Sequence, residues 1–180
     1  VAEYVLAGML LISRRMLAAD NFVRENKWNA FEPGTWDGVS LTGKELGIVG
    51  MGAIGLALKT IAEAIGIKVS YYDPNSKDIP GWKPFNELVS NADVISIHVP
   101  LTDNTYHLFN EDVLNMMKVD AILVNASRGK TVDLAALIKQ LENKQLKGAV
   151  LDLFEYEPHV LDKLKKMKNV LLTPHMAGGT

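Results

Sequence analysis

The sequence of 180 residues predicts an α/β fold in which helices cover both faces of one parallel sheet. Short apolar runs alternate with stretches of helical periodicity over most of the chain, and glycine and proline punctuate them. The length suits one well-buried domain and is short for two. Successive strands of such a sheet are joined by right-handed crossovers, which make the sheet doubly wound. We therefore expect a single domain with a doubly wound parallel sheet.

Composition narrows the classes of function. Hydrophobic residues make up 48% and charged residues 22%, which is ordinary for a globular protein, and the net charge of −2 argues against nucleic acid as a partner. The chain has no cysteine, which excludes disulfides and thiol catalysis and agrees with a cytoplasmic location. No metal-ligand spacing is present, and the first apolar stretch, residues 1–12, is too short to span a bilayer, so we expect no metal and no membrane partner.

Residues 1–43 are predicted to form a helical segment and a connector. Residues 1–19 are apolar around most of a helix, which indicates a contact beyond their own domain. A second short helix is expected at residues 19–28, followed by a connector that buried Trp28 and Trp36 hold in place. Because the chain begins with this helical pattern and ends without a closing element, we interpret it as a piece of a longer protein.

Residues 44–180 are predicted to form the core, which is organised around residues 44–73. An apolar run at 46–50 leads into GMGAIG, a helical pattern follows up to Gly66, and a second apolar run at 67–72 ends at Asp73. This is the strand, glycine turn, helix, strand and acid of a Rossmann-type dinucleotide site. A bare glycine motif is more often only a flexible turn, but here all the flanking parts are present.

Each part of this unit has a physical role in dinucleotide binding. Gly50 permits a tight turn, Gly52 lets the backbone approach a pyrophosphate, and Gly55 lets helix and strand pack closely. The helix N-terminus offers free N–H groups to the phosphates. Asp73, 18 positions after Gly55, suits the acid that binds ribose hydroxyls, and it would repel a 2′-phosphate. We therefore predict NAD rather than NADP as the cofactor.

The rest of the chain continues the alternation of strands and helices. We predict strands at 93–99, 121–125, 148–153 and 170–172, and helices at 85–91, 110–118 and 132–143. Residues 74–84 have loop composition, and Lys77 within them is interpreted as a solvated lysine. In parallel sheets of this kind ligands bind outside the carboxyl ends of the strands. The residues of this chain that are candidates for ligand binding follow those ends of the strands.

Three ionisable residues at these strand ends are candidates for chemistry: Arg128, Glu157 and His175. A guanidinium can grip a carboxylate with two hydrogen bonds, and a histidine held by a carboxylate can transfer a proton near neutral pH. Together they suit the reduction of a 2-oxo acid by NADH. Taken alone, Arg128 also fits a surface ion pair and Glu157 a solvated loop acid. His98 and His107 are interpreted as hydrogen-bonded structural residues.

The motifs GMGAIG with Asp73, HVPLTDNTYHLFN, VNASRGKTVD, GAVLDLFEYEP and TPHMAGG resemble, in order and spacing, the D-isomer-specific 2-hydroxyacid dehydrogenases. That family includes phosphoglycerate, glycerate, hydroxypyruvate and D-lactate enzymes, and the likeness covers essentially the whole chain. It implies an NAD-dependent oxidoreductase acting on a small 2-oxo or 2-hydroxy acid. Formate dehydrogenases of the same superfamily carry glutamine where Glu157 stands, which favours the 2-hydroxyacid branch.

The resemblance also implies roles for single residues. Arg128 would orient the substrate, His175 would be the acid/base, and Glu157 would hold the imidazole and stabilise its protonated form. Asp152 would touch the nicotinamide end of the cofactor. The rest of the cofactor site would be lined by Ala53, Ile54, Val99, Pro100, Thr105, Ala126, Ser127 and the backbone from His175 to Gly178.

The same family has a second, flavodoxin-like domain that completes the substrate cleft and is missing from this chain. The likeness therefore implies that the chain alone binds NAD but turns over poorly, and that residues 1–43 build a homodimer contact. Two alternatives stay open: an NAD-sensing corepressor related to the family, and a different two-domain NAD enzyme such as an amino-acid dehydrogenase. The second lacks the SRG, FExEP and TPH motifs.

Overall fold

A computed structural model describes residues 1–75 and 78–179, so Lys77 lies outside the described residues. The chain forms a sheet of six parallel strands in the order β2-β1-β3-β4-β5-β6. This confirms the predicted Rossmann-type fold. The strands are β1 (Glu45–Val49), β2 (Lys68–Tyr72), β3 (Val94–Ile97), β4 (Ala121–Asn125), β5 (Leu146–Leu151) and β6 (Val170–Leu172).

Seven helices accompany the sheet in the described part of the chain: α1 (Ala2–Ser13), α2 (Met16–Arg24), α3 (Ala53–Ala64), α4 (Phe85–Asn91), α5 (Glu111–Met116), α6 (Leu134–Glu142) and α7 (Asp162–Lys166). A short 3-10 turn at Gly129–Thr131 precedes α6. The start of α6 is later than predicted because the side chain of Asp133 caps it by accepting a hydrogen bond from Ala136 N. Sequence reasoning missed α7, since its five residues are mostly lysine and only Leu164 is buried.

Two apolar layers sandwich the sheet, one on each face. Residues of α1 and α3, such as Met9 and Leu58, pack with Ile48 on one face. Residues of α4, α5 and α6 pack with Ile95 and Leu123 on the other. Because successive strand residues point to opposite faces, each strand feeds both layers. The sheet is therefore covered on both sides, as a doubly wound fold requires.

The first helix is shorter than predicted. It ends at Ser13, Arg15 takes a left-handed conformation with φ of 57°, and α2 starts at Met16 rather than at residue 19. The break lies where the connector crosses, because a Cβ on Gly38 would lie 2.6 Å from Arg14 Cα. Arg15 then donates to Thr35 O at 2.8 Å and lies over the Trp36 ring, so it holds the connector.

The apolar circumference of α1 is largely used within its own domain. Val5 and Met9 are completely buried, and Gly8 lets the helix approach Val150 of the sheet. The prediction for Trp28 was wrong, since that ring is 61% exposed, whereas half-buried Trp36 packs on Phe22 with centroids 5.0 Å apart. No described helix has the length and apolarity needed to cross a bilayer.

Candidate functional site

All predicted site residues follow the carboxyl ends of the strands and therefore lie along one edge of the sheet. From β1 the chain adds β2 on one side of the sheet and then β3 on the other side. The carboxyl ends of β1 and β3 are therefore the topological switch point. At this point the two strand ends are very close, since a Cβ on Gly50 would lie 2.6 Å from His98 O. A ligand crevice is expected here in a doubly wound sheet.

The glycine turn has the shape of a phosphate cradle. Gly50 has φ of +99°, and a Cβ on Gly55 would lie 2.4 Å from Gly50 O, so both positions require glycine. Gly52, in contrast, faces open space. It is the N-cap of α3 and supplies no side-chain cap, which leaves the first N–H groups, including those of Ala53 and Ile54, available to an anion. These residues fit a dinucleotide pyrophosphate.

Asp73 ties the ends of β1 and β2 together. One carboxylate oxygen accepts a hydrogen bond from Met51 N at 2.9 Å, and the other accepts from Asn75 N at 2.8 Å. The acid thus stands beside the glycine turn at the end of its strand. Its predicted bond to a ribose uses lone pairs that these two contacts leave available.

The loop after β3 carries Val99, Pro100 and Thr105. Thr105 Oγ1 donates to Pro100 O at 2.6 Å and accepts from Thr102 N at 2.8 Å. These bonds close the loop on itself beside the switch point. Pro100 is exposed and Val99 half-buried, as residues that line an open crevice are.

The loop after β4 is organised by a residue that the sequence reasoning did not select, Asn125. Its buried side chain donates to Arg128 O at 2.9 Å and accepts from Ser127 N at 3.1 Å. Ala126 and Ser127 are thereby held half-buried at the edge, and Arg128 is exposed. A polar residue at the end of an otherwise apolar strand was the signal that could have revealed Asn125.

His175 and Glu157 come together although they lie 18 positions apart. His175 Nδ1 is 3.1 Å from one oxygen of Glu157, whose other oxygen accepts a hydrogen bond from Phe154 N at 2.8 Å. Because a carboxylate only accepts, Nδ1 carries a hydrogen, and Nε2 is left for another partner. The side chains are 58% and 35% exposed, so the pair is accessible to a small molecule.

Arg128 lies on the neighbouring strand end but does not contact this pair. In the described chain its guanidinium donates only to the adjacent Ser127 O. The two loops nevertheless touch, because a Cβ on Gly129 would lie 2.1 Å from the backbone of Phe154. Register places Asn125 beside Leu151 and Leu151 beside Leu172, so the three candidate residues follow three adjacent strands.

Asp152 is completely buried, unlike the other ionisable candidates. Its carboxylate accepts hydrogen bonds from Thr173 Oγ1 at 2.5 Å, Met176 N at 2.9 Å and Ala177 N at 2.8 Å. The acid therefore holds the loop that carries His175. Gly178, further along that loop, is exposed, and a Cβ there would meet open space.

The two histidines interpreted as structural, His98 and His107, are hydrogen-bonded through Nε2. His107 Nε2 lies 3.2 Å from Glu155, and His98 Nε2 lies 2.8 Å from Ser96 Oγ. Burial lowers the pKa of His98 to about 4, so its ring is neutral at physiological pH. No group of three histidine, aspartate or glutamate side chains suited to a metal occurs in the described residues.

Known proteins that resemble this chain in sequence share one family. A family model described as "D-isomer specific 2-hydroxyacid dehydrogenase, NAD binding domain" matches residues 6–177. The chain is 44% identical to a glyoxylate reductase of Thermococcus litoralis, over 99% of this chain and 57% of that protein. It is 42% identical to a glyoxylate reductase of Korarchaeum cryptofilum, over 99% of this chain and 56% of that protein. The chain thus spans little more than half the length of these curated relatives.

Solved structures share the fold closely. The TT0316 protein from Thermus thermophilus superposes with a TM-score of 0.93 at 38% identity, over 97% of this chain and 57% of that chain. A D-lactate dehydrogenase from Aquifex aeolicus, complexed with NAD and lactic acid, superposes with a TM-score of 0.89 at 30% identity, over 99% of this chain and 60% of that chain.

Proposed function

This chain belongs to the D-isomer specific 2-hydroxyacid dehydrogenase family, as an NAD-binding domain, and on that premise we propose that it serves the reduction of a short 2-oxo acid such as glyoxylate. The observation that carries the proposal is the contact of 3.1 Å between His175 Nδ1 and Glu157. A histidine oriented in this way is suited to general acid/base work. The glyoxylate reductases among its relatives favour glyoxylate as the first substrate to test.

Each candidate residue has a defined task in this proposal. The exposed guanidinium of Arg128 binds the substrate carboxylate and orients the carbonyl. His175 gives a proton from Nε2 to the carbonyl oxygen during reduction and takes it back during oxidation, while Glu157 keeps the Nδ1 hydrogen in place. When bound, NADH supplies the hydride that reaches the carbonyl carbon.

The glycine turn, Asp73 and the loops after β3 and β4 would hold the cofactor. From Asp73 at the end of β2 to Arg128 beyond β4, the edge spans three strand spacings of about 4.8 Å each. An extended dinucleotide suits such a distance, with its adenosine end at Asp73 and its nicotinamide end near Arg128 and His175. The contact of Asp73 with the ribose favours NADH over NADPH.

We further propose that a second, substrate-binding domain completes the cleft, so that this chain alone turns over poorly. Residues 1–43 would contact a second copy of the protein. The exposed apolar side chains of this segment support the contact: Met16, Val23, Trp28 and Phe31 are 51%, 51%, 61% and 82% exposed. A cytoplasmic location is part of the same proposal.

The test is to express the protein together with any sequence that flanks residues 1–180 in its gene. NADH-dependent reduction of glyoxylate by this protein is then measured. We expect His175→Ala to lower kcat by a factor of about 10² to 10⁴ and Glu157→Gln to lower it less. Arg128→Lys should mainly raise KM, because a lysine lacks the bidentate fork. Calorimetric binding of NADH should be retained in all three variants. A protein that binds NADH but reduces no 2-oxo acid would contradict the proposal and favour the regulatory alternative.

A further inference from the structure

A chain of hydrogen bonds runs from helix α1 to the loop that carries His175. Thr173 Oγ1 donates to Asp152 at 2.5 Å, and Tyr4 Oη lies 2.6 Å from the same Thr173 oxygen. A hydroxyl has a single hydrogen, and Thr173 uses it on Asp152. Tyr4 must therefore be the donor to Thr173, which gives the chain a fixed direction from Tyr4 to Asp152.

Asp152 is the point at which the His175 loop is attached to the sheet. Its carboxylate accepts from Met176 N and Ala177 N, and its backbone oxygen accepts from His175 N at 2.9 Å. Thr173 N also donates to Leu151 O at 3.1 Å. The loop is thus bonded to the end of β5 on both sides of His175.

These bonds matter because His175 has an unfavourable backbone conformation. Its φ is +54°, a left-handed value that is unfavourable for a residue other than glycine. Such a conformation persists only where the surroundings determine it. Here the buried carboxylate of Asp152 supplies the bonds that do so.

Tyr4 brings helix α1 into the same network. The helix is anchored on the sheet by Val5 and Met9, which are completely buried. Burial, the main cause, raises the pKa of Tyr4, so its hydroxyl keeps its hydrogen at neutral pH. The position of α1 is therefore connected to the strand end from which the His175 loop departs, although Tyr4 and Thr173 are 169 positions apart in the sequence.

We propose that Tyr4, Thr173 and Asp152 are positioning residues for His175: they set the backbone of residues 175–177 and thereby the direction in which the imidazole presents Nε2. This proposal rests on the acid/base role of His175 given above. It assigns to the buried Asp152 a role within the protein, besides any contact with the cofactor, and it makes α1 part of the catalytic geometry.

The test uses hydrogen exchange of backbone amides and the ¹⁵N chemical shifts of the His175 ring at fixed pH, both measured by NMR. Thr173→Val keeps the shape of the side chain and removes both hydrogen bonds, whereas Thr173→Ser retains the hydroxyl and serves as the matched control. We expect Thr173→Val to speed exchange of the Met176 and Ala177 amides about tenfold and Tyr4→Phe about fivefold, with β4 amides unchanged. The ring ¹⁵N chemical shifts of His175 should change in Thr173→Val and keep their wild-type values in Thr173→Ser.

Activity gives an independent readout. Thr173→Val should lower kcat for 2-oxo acid reduction about tenfold and leave the Kd for NADH within about twofold. Unchanged exchange at residues 176–177 and unchanged ring ¹⁵N chemical shifts of His175 in both Thr173→Val and Tyr4→Phe would overturn the positioning proposal. Equal activity of the wild-type protein and His175→Ala would overturn only the proposed function. The exchange experiment does not depend on turnover and would still test the positioning proposal.

Discussion

At the scale of single residues, several side chains of the candidate site form hydrogen bonds with the backbone. Glu157 accepts from Phe154 N as well as from His175, Asp73 accepts from Met51 N, and Asn125 holds Arg128 O. Each polar side chain is thereby oriented before any ligand arrives. Such preorganisation reduces the cost of ordering the site when substrate binds.

His98 gives a residue-scale prediction for pH. The pKa of His98 is about 4 in the folded protein and 6.5 in the unfolded chain. As the pH falls, the unfolded chain therefore binds a proton at a higher pH than the folded protein does. The stability associated with neutral His98 is complete above about pH 6.5 and is lost towards pH 4, by about 3 kcal/mol in total. In urea unfolding, His98→Gln should show a correspondingly weaker loss of stability over this window.

The exposed His159 offers a control for that experiment. His159→Gln makes the same replacement at an exposed site and should leave in place the dependence on pH that is assigned to His98. If wild type and His98→Gln lose the same stability between neutral pH and about pH 4, burial of a neutral His98 is not the cause.

At the scale of secondary-structure elements, the turn between β1 and α3 performs two separable tasks. Gly55 lets α3 pack against the turn, since a Cβ there would lie 2.4 Å from Gly50 O. Gly52 faces open space with φ of −76°, which any residue adopts. One glycine thus serves packing, whereas the other leaves room for a ligand.

Two matched substitutions separate these tasks. Gly55→Ala should lower the free energy of unfolding by about 2–4 kcal/mol, because the clash is with backbone. Gly52→Ala should change stability by less than about 0.5 kcal/mol but weaken NADH binding about tenfold or more, because the methyl group keeps the pyrophosphate from the backbone. Chemical unfolding and calorimetry measure the two effects. Equal NADH affinity in Gly52→Ala and wild type would contradict the proposed place of the pyrophosphate.

At the scale of the whole molecule, the most exposed apolar surface lies in the first 43 residues. Phe31 and Trp28 are 82% and 61% exposed, and they line one hollow together with Phe22 and Val23. Large apolar side chains clustered in this way are typical of interaction surfaces. This agrees with the proposed contact between two copies.

The double variant Trp28→Ser/Phe31→Ser should therefore shift the protein from dimer to monomer, measured by sedimentation velocity at micromolar concentrations. Removing two exposed aromatic residues should not lower the stability of the domain itself, because neither is part of its core. Val119→Ser, at a 67% exposed site just before β4 and outside residues 1–43, is the control and should leave the assembly unchanged. A wild-type protein that sediments as a monomer would refute the contact.

The sequence by itself determined the parts that depend on local spacing. The bounds of α4, β4 and β6 agree with the prediction, and the glycine turn, its helix and Asp73 follow each other as expected. These features depend on periodicity and backbone sterics within about 30 consecutive residues, which the sequence displays directly. The places of Arg128, Glu157 and His175 at strand ends made them candidates, and the family resemblance then implied their roles, including the contact of Glu157 with the imidazole.

Tertiary structure alone decided how distant residues meet. It buried Asp152 beneath the His175 loop, joined Tyr4 to Thr173 and left Trp28 exposed. It also ended α1 at Ser13, where the connector crosses the helix. These outcomes depend on which strands lie side by side and on what packs over each end. Neither is encoded in the spacing of neighbouring residues, because contacts across a parallel sheet join segments that are far apart in the chain.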